Sequence, residues 1–465
     1  MTADQPTGTA LRQAPGDAGP RRAIPVTPMQ ALPSLMRKLW TDRLALLSDA
    51  ADEYGDAVRF RMGPKSLYFF NHPDHAKHVL ADNAANYHKG MGLTEAKRLL
   101  GDGLLTSEGE LWRRQRRTIQ PAFRRDRLGD FAGLIADEAS ALVSRLESKI
   151  GEGPVDVVAE MTRLTLRVLA KTLLDADLAP FYSLGEAFEE VQDQAMFEMV
   201  TLRMLPIWLP IPRHRRFHAA LGQLEDAAMA LVDERERSAR PGSDDVITRL
   251  LDAYRDEPDP NVRRRRLRDE LLTILLAGHE TTASTLSWAW YLIDQHPEVA
   301  ERMRAEAAEV LGDRLPVLDD LHRLPYTTMV IQETMRLYPP VWALTRRAVA
   351  ADEVGGYRVP AGADVMICPY TLHRHPGFWP EPQRFDPLRF EQANAELTHR
   401  YAYIPFGAGP RVCVGSHLGM MEATFVAIMV ARRLRLGLVP GREVKPEAML
   451  SLRVQGGLPM LVRPA

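Results

Sequence analysis

From Asp269 to Pro297 the chain is apolar on every side, reading L-L-T-I-L-L-A-G-H-E-T-T-A-S-T-L-S-W-A-W-Y-L-I in its body. A helix without a polar face has to be buried. At ~1.5 Å per residue it is about 40 Å long, enough to cross the whole molecule. Its middle is odd for such a place. Gly278, His279, Glu280, Thr281 and Thr282 are poor residues for a buried helix interior. A threonine hydroxyl can bond back to the carbonyl four residues earlier, here that of Ala277, and locally open the helix.

A second stretch is as unusual. Tyr403 to Gly419, Y-I-P-F-G-A-G-P-R-V-C-V-G-S-H-L-G, holds one of only two cysteines in 465 residues. Gly407, Gly409 and Gly415 surround Cys413, with Phe406 in front and Arg411 two residues before the sulfur. Glycines at this density suggest backbone that takes positive φ or lies against something flat. The apolar pattern Leu418, Met421, Ala423, Val426, Met429 predicts a helix just beyond, whose N-terminal N–H groups favour a thiolate. A thiolate with open space above it and an arginine nearby is what a haem iron and its propionate require. The plainer reading of a lone cysteine is a buried thiol in a Gly-rich turn.

The stretch F-G-A-G-P-R-V-C-V-G, Phe406 to Gly415, resembles the haem-binding signature of the cytochrome P-450 superfamily at each position that defines it. The resemblance implies haem b, with Cys413 as its metal ligand, Arg411 on a propionate, Phe406 shielding the sulfur, and Gly407 and Gly415 letting the loop lie flat. Two further signatures stand in the expected order. A-G-H-E-T-T, Ala277 to Thr282, is similar to the family's oxygen-binding signature, which makes Glu280 and Thr281 the acid–alcohol pair that delivers protons. Glu333 and Arg336 of E-T-M-R, with Arg384 of P-E-P-Q-R-F, resemble its structural Glu–Arg–Arg triad. Taken alone, a Glu–Arg pair at i, i+3 is commonplace on a helix surface.

Trp112 and Arg116 lie at i, i+4 on one face of the helix that opens L-W-R-R-Q-R-R. In the resembled family this pair bonds a propionate; Arg113, Arg114 and Arg117 point elsewhere and read as solvated. An arginine of the first strand of P-P-V-W-A-L-T-R-R-A-V-A reaches a propionate in relatives. Arg346 and Arg347 are both candidates, and Arg347 is the favoured one.

Apolar content of 45% and charged content of 26% leave ample material for a core. A net charge of −2 argues against a general nucleic-acid role. Two distant cysteines fit a reducing compartment without a disulfide framework. The polar first 23 residues, with Pro, Gly and both charge signs, predict a disordered tail and show neither a signal sequence nor a transmembrane anchor. Residues 24–465 then form one domain, and the expected address is the cytoplasm.

Along the chain, Leu35–Tyr54 reads as one helix, and Ala57–Met62 with Ser66–Asn71 as a hairpin across Gly63-Pro64. The Gly-rich segment Tyr87–Glu110 reads as an irregular functional loop. Leu128 to Asp177 gives two amphipathic helices, and Ser183–Met199 another. Met204–Pro212, apolar but broken by three prolines, is neither helix nor central strand; the resemblance makes it the connection over the substrate entrance. Arg263–Arg268 reads as a solvated helix start, Cys368 as a small core hydrophobe, and the last residues, S-L-R-V-Q-G-G-L-P-M-L-V-R-P, as a hairpin.

The fold implied by resemblance is mainly α with a small β-rich lobe, a triangular helical prism around a buried haem. The function implied is a haem-thiolate monooxygenase that inserts one oxygen atom of O2 into a C–H bond. No flavin or iron–sulfur sequence follows Cys413, so electrons from NAD(P)H are expected through separate proteins, ferredoxin and ferredoxin reductase or a flavodoxin-type donor, to a monomer. By the same resemblance Ala277, Val341, Leu344 and Leu450 face the substrate, in segments poor in charge apart from Glu198, Arg203 and Arg453. Few polar anchors point to an apolar molecule selected by shape. A terpenoid or other secondary metabolite comes first. A fatty acid held by Arg453 is the alternative, so the enzyme could be a fatty-acid hydroxylase. A peroxygenase or isomerase commonly lacks the acid–alcohol pair, and a non-catalytic haem sensor has no need of it.

Overall fold

Asp259 accepts a hydrogen bond from the Asn261 backbone at 2.8 Å, and Pro260 fills the first turn. These two residues start a helix that runs without interruption to Gln295. It has 36 residues, or roughly 54 Å, and begins nine residues before the expected start. The computed structural model describes residues 22–62, 65–176, 184–201, 206–238, 244–395 and 399–465. The expected disordered tail, apart from its last two residues, lies outside them, as do the Gly63-Pro64 turn and Arg203.

The basic run is not simply solvated. Arg263, Arg264 and Arg268 pair with Glu236, Asp233 and Glu225 of the helix Pro212–Ser238. That neighbour gave no sign in the sequence reading. From Leu267 to Ile293 the long helix is buried on nearly every side, wrapped by helices Val157–Leu169, Pro325–Leu337 and Ser416–Arg433. Gly278 is what lets the first of these approach. A Cβ there would stand 2.6 Å from Leu169 Cδ1.

The β-rich lobe carries a five-stranded sheet in the order Ala57–Met62, Lys65–Phe70, Asp364–Ile367, Leu344–Ala348, Tyr87–Lys89. Its second and third strands are parallel and the other pairs antiparallel. Leu44, Phe60, Phe69 and Cys368 are among the residues buried beside it. Cys368 donates to Trp342 O at 3.0 Å, a core thiol.

Three expectations about elements change. Leu35–Tyr54 is two helices, Leu32–Thr41 and Arg43–Tyr54, because Asp42 leaves helical geometry and caps Ala45 N at 2.9 Å. The Tyr87–Glu110 segment contains the strand Tyr87–Lys89 and the helix Leu93–Leu100, whose start is held by Gly92 N donating to Glu95 at 2.6 Å. The C-terminal segments do not pair with each other. Leu452–Val454 pairs with Pro446–Ala448, and Pro459–Pro464 with Leu434–Leu438 and Pro154–Asp156. Among the described residues no helix is long and apolar enough to cross a membrane.

Candidate active site

A cavity of about 470 Å³ lies against the middle of the long helix. Ala277, Val341, Leu344 and Leu450 line it, as do Glu280, Thr281 and Cys413. The helix Leu32–Thr41 adds Leu35, Met36 and Leu39, which the sequence reading did not assign to it.

Cys413 sits on a loop fixed by its backbone. Its N–H donates to Phe406 O at 2.9 Å. Gly407 and Gly409 take φ of +72° and +67°, where other residues are strained. A Cβ on Gly409 would strike Leu80 O at 1.9 Å, whereas Gly407 has open space beside it. Gly415 has ordinary φ and serves as N-cap of the helix Ser416–Arg433, packed near Phe123. The sulfur is exposed and opens onto the cavity. Burial raises the Cys413 pKa, while the Gly415 N–H and Arg116 pull it down. The Gly415 N–H at the start of that helix and the Arg116 guanidinium are the two groups that favour the thiolate here.

Next to the loop, charge is unbalanced. Lys89, Arg346 and Arg411 all line the cavity. One carboxylate, Glu108, lies among them; it pairs with Arg411 and accepts the Lys89 backbone N–H at 2.6 Å. Arg411 also donates to Ser107 O at 2.9 Å and stacks 3.9 Å above the Trp112 ring. Lys89 is held well below its ordinary pKa by burial and by both arginines, and Arg346 is pushed down to about 10 by burial and Arg411. Arg116 lies beside the sulfur and donates to Val412 O at 2.8 Å.

Arg347, the favoured strand arginine, turns the other way. It pairs with Asp364 on the neighbouring strand at 2.8 Å and is 44% exposed. Side chains alternate along a strand, so placing Arg346 toward the cavity sends Arg347 outward.

On the long helix Thr281 Oγ1 donates to Ala277 O and Thr285 Oγ1 to Thr281 O, each at 2.9 Å. The helix absorbs both bonds without opening. Glu280 accepts from Ser451 Oγ at 2.5 Å, and burial raises its pKa against that bond. His279 faces away, packed on Phe188 with ring centroids 5.0 Å apart and kept neutral by burial, its pKa about 4.

Glu333 and Arg336 are fully buried and doubly bonded, at 2.6 and 2.8 Å. Arg384 is not their third member. Its side chain is 61% exposed and pairs with Glu381, and only its carbonyl accepts from Arg336, at 2.9 Å. Arg389, five residues on and 11% exposed, approaches Glu333 at 3.4 Å instead. The two remaining charges expected near the substrate also point away. Glu198 lies 3.7 Å from Arg98, and Arg453 pairs with Glu447, Glu189 and Asp193; neither lines the cavity. Arg43 lines it in their place, donating to Ala448 O at 2.9 Å.

The Cytochrome P450 family model matches residues 25–460, and the chain belongs to that family. It is a P450 monooxygenase, a class that holds haem and uses O2 and supplied electrons. Cyclooctatin synthase of Streptomyces melanosporofaciens is 38% identical over 88% of this chain and 89% of its own length. Cyclooctat-9-en-7-ol 5-monooxygenase of the same organism is 36% identical over 92% of each. Pentalenene oxygenase of Streptomyces avermitilis is 31% identical over 86% of this chain and 88% of its own.

The residues of the site fit a haem. Three cations around one carboxylate leave an excess of buried positive charge that two propionates would balance. Gly407 lines the same cavity as Cys413 and has open space beside it. Arg346 was the less favoured of the two strand candidates, while Lys89 and Glu108 were not assigned to the site from sequence, since nothing local distinguishes them from surface charges.

Proposed function

We propose that this chain hydroxylates a compact apolar terpenoid, with Cys413 as the haem ligand and Lys89, Arg346 and Arg411 on the propionates. When bound, the haem supplies the iron that activates dioxygen, tuned by its thiolate ligand. The protein's own residues do the rest. Glu280 holds a proton at the cavity wall, and the Thr281 hydroxyl stands one residue further along the helix to pass it on. Leu104, Leu105, Ala277, Val341, Leu344 and Leu450 exclude water from the substrate and select it by shape.

The observation that carries the substrate class is the distribution of charge. Cations in the wall gather at the Cys413 loop and the Lys89–Arg346–Arg411 group, and Arg43 is the one outside them among the described residues. The names of the relatives, built on cyclooctat-9-en-7-ol and pentalenene, point the same way. Cyclic sesquiterpenes and diterpenes are expected to shift the haem from low to high spin on titration, ahead of steroids and medium-chain acids. If acids alone shifted it, and Arg43→Ala abolished their binding, the protein would be a fatty-acid hydroxylase.

Electrons are proposed to come from NAD(P)H through a ferredoxin and its reductase, or a flavodoxin-type donor. Beside the Cys413 loop Val412 is exposed, and Arg113 and Arg117 share Glu110 as their carboxylate. Two arginines against one carboxylate leave a basic face for an acidic partner. Turnover with an acidic ferredoxin should fall steeply as salt rises and on Arg113→Glu/Arg117→Glu. Full turnover by the chain with nicotinamide cofactor alone would remove the need for a partner.

A further inference from the structure

Monooxygenation consumes two electrons and two protons for each O2, giving the hydroxylated product and one water. If Glu280 supplies protons, it must be refilled from outside an apolar cavity. Its own contacts show where from. Besides the bond from Ser451 Oγ, its carboxyl accepts one from the Gln192 side chain.

Both partners belong to elements that reach the surface. On the helix Leu184–Val200, Glu189, Gln192, Asp193 and Met196 fall at i, i+3, i+4 and i+7, on one face. Met196 lines the cavity, Gln192 is buried, and the Glu189 and Asp193 side chains are 61% and 42% exposed. Facing them is the turn between Pro446–Ala448 and Leu452–Val454. Ser451 of this turn lines the cavity. Two residues on, Arg453 donates to Glu447 at 2.8 Å and lies 3.5 Å from Glu189 and 3.7 Å from Asp193.

A file of polar groups thus runs from the cavity wall outward. Gln192 Oε1 and Arg453 Nη1, both buried, have no hydrogen-bond partner, so capacity for further bonds remains along it. Burial raises the pKa of Glu280, which makes it a better proton holder than the more exposed Glu189 and Asp193.

We propose that protons enter through this file: Glu189 and Asp193 collect them from bulk water, and Ser451 and Gln192 position Glu280 to receive them. The inference rests on the reading of Glu280 and Thr281 as the acid–alcohol pair. In each transfer the Ser451 hydroxyl gives its proton to Glu280 Oε1 and regains one from the Glu189–Asp193 side, which bulk water reprotonates. No electron moves and no bond to carbon changes.

The Ser451 side chain can be removed without losing the turn. Ser284 Oγ and Trp288 Nε1, one and two helical turns beyond Glu280, both donate to Leu452 O, at 2.5 and 2.9 Å. They pin the turn to the long helix through its backbone.

In the reconstituted holoenzyme, Ser451→Ala and the pair Glu189→Gln/Asp193→Asn should each lower product per electron. The fall should be about tenfold, below the loss expected for a missing general acid. The solvent deuterium isotope effect on turnover should rise, and for the surface pair, which does not line the cavity, substrate binding read from the spin shift should stay unchanged. Ser451→Thr, which keeps the hydroxyl, should restore both quantities. If Glu280→Gln lowers product per electron while Ser451→Ala and the surface pair do not, protons enter elsewhere and the file is wrong. If Glu280→Gln changes neither quantity, the acid–alcohol reading falls and takes this route with it. Should Ser451→Ala fail to fold, the surface pair decides alone.

Discussion

Cys413→His is expected to reduce monooxygenation to background while the protein still folds and takes up haem. The loop does not depend on the sulfur for its shape. It is held by Cys413 N to Phe406 O, by Arg116 to Val412 O, and by positive φ at Gly407 and Gly409, all of which survive the change. What is lost is the thiolate's electron donation, which a neutral imidazole does not supply. The check is spectroscopic. Reduced parent protein with carbon monoxide should show the strongly red-shifted Soret band of thiolate ligation, and the variant should lose it. A variant that kept the band would place the ligand on another residue.

Arg336→Ala should be the most damaging substitution to stability. Arg336 uses its guanidinium donors on Glu333, His373 O, Pro382 O and Arg384 O, with distances from 2.6 to 3.0 Å. Its removal leaves the Glu333 carboxylate buried beside a single arginine, Arg389, and strands three carbonyls. Breaking a buried pair in this way costs about 3–5 kcal/mol, out of a total that is commonly ~5–15 kcal/mol. Lysine at 336 should not rescue it, because an ammonium cannot bond Glu333 in bidentate fashion and still reach the carbonyls. Arg384→Ala removes only an exposed pair with Glu381, worth about 0–1 kcal/mol. Urea or thermal unfolding of the three variants, with Arg389→Ala between the extremes, orders these contributions. A drop for Arg384→Ala as large as that for Arg336→Ala would restore Arg384 to the triad.

The parts of the site legible in the sequence are those whose chemistry is local. Cys413, its glycines and Arg411 fall within ten residues, and Glu280 and Thr281 mark themselves as polar residues in an otherwise apolar helix. Hydrophobic periodicity and unusual composition survive folding because they concern neighbours along the chain. The buried rod was foreseen for the same reason, although its start was not: Asp259 and Pro260 lie ahead of the apolar run, and the cap they form precedes it. Charges whose partners are distant in sequence were a different matter. Arg346 and Arg347 are chemically alike, and only strand register against Asp364 decides which one enters the cavity. Arg384 and Arg389 lie on the same loop, and its path over the Pro325–Leu337 helix sets which one reaches Glu333. Arg453 looked like a substrate anchor until the helix Leu184–Val200 brought Glu189 and Asp193 up to it. Lys89 and Glu108 carried no signal at all, since an isolated lysine or glutamate reads as surface until tertiary packing buries it. The sequence alone determined which chemistry this protein carries, because that chemistry is written in contiguous residues; the tertiary structure decided which charges serve it, because burial and pairing across the fold select among identical side chains.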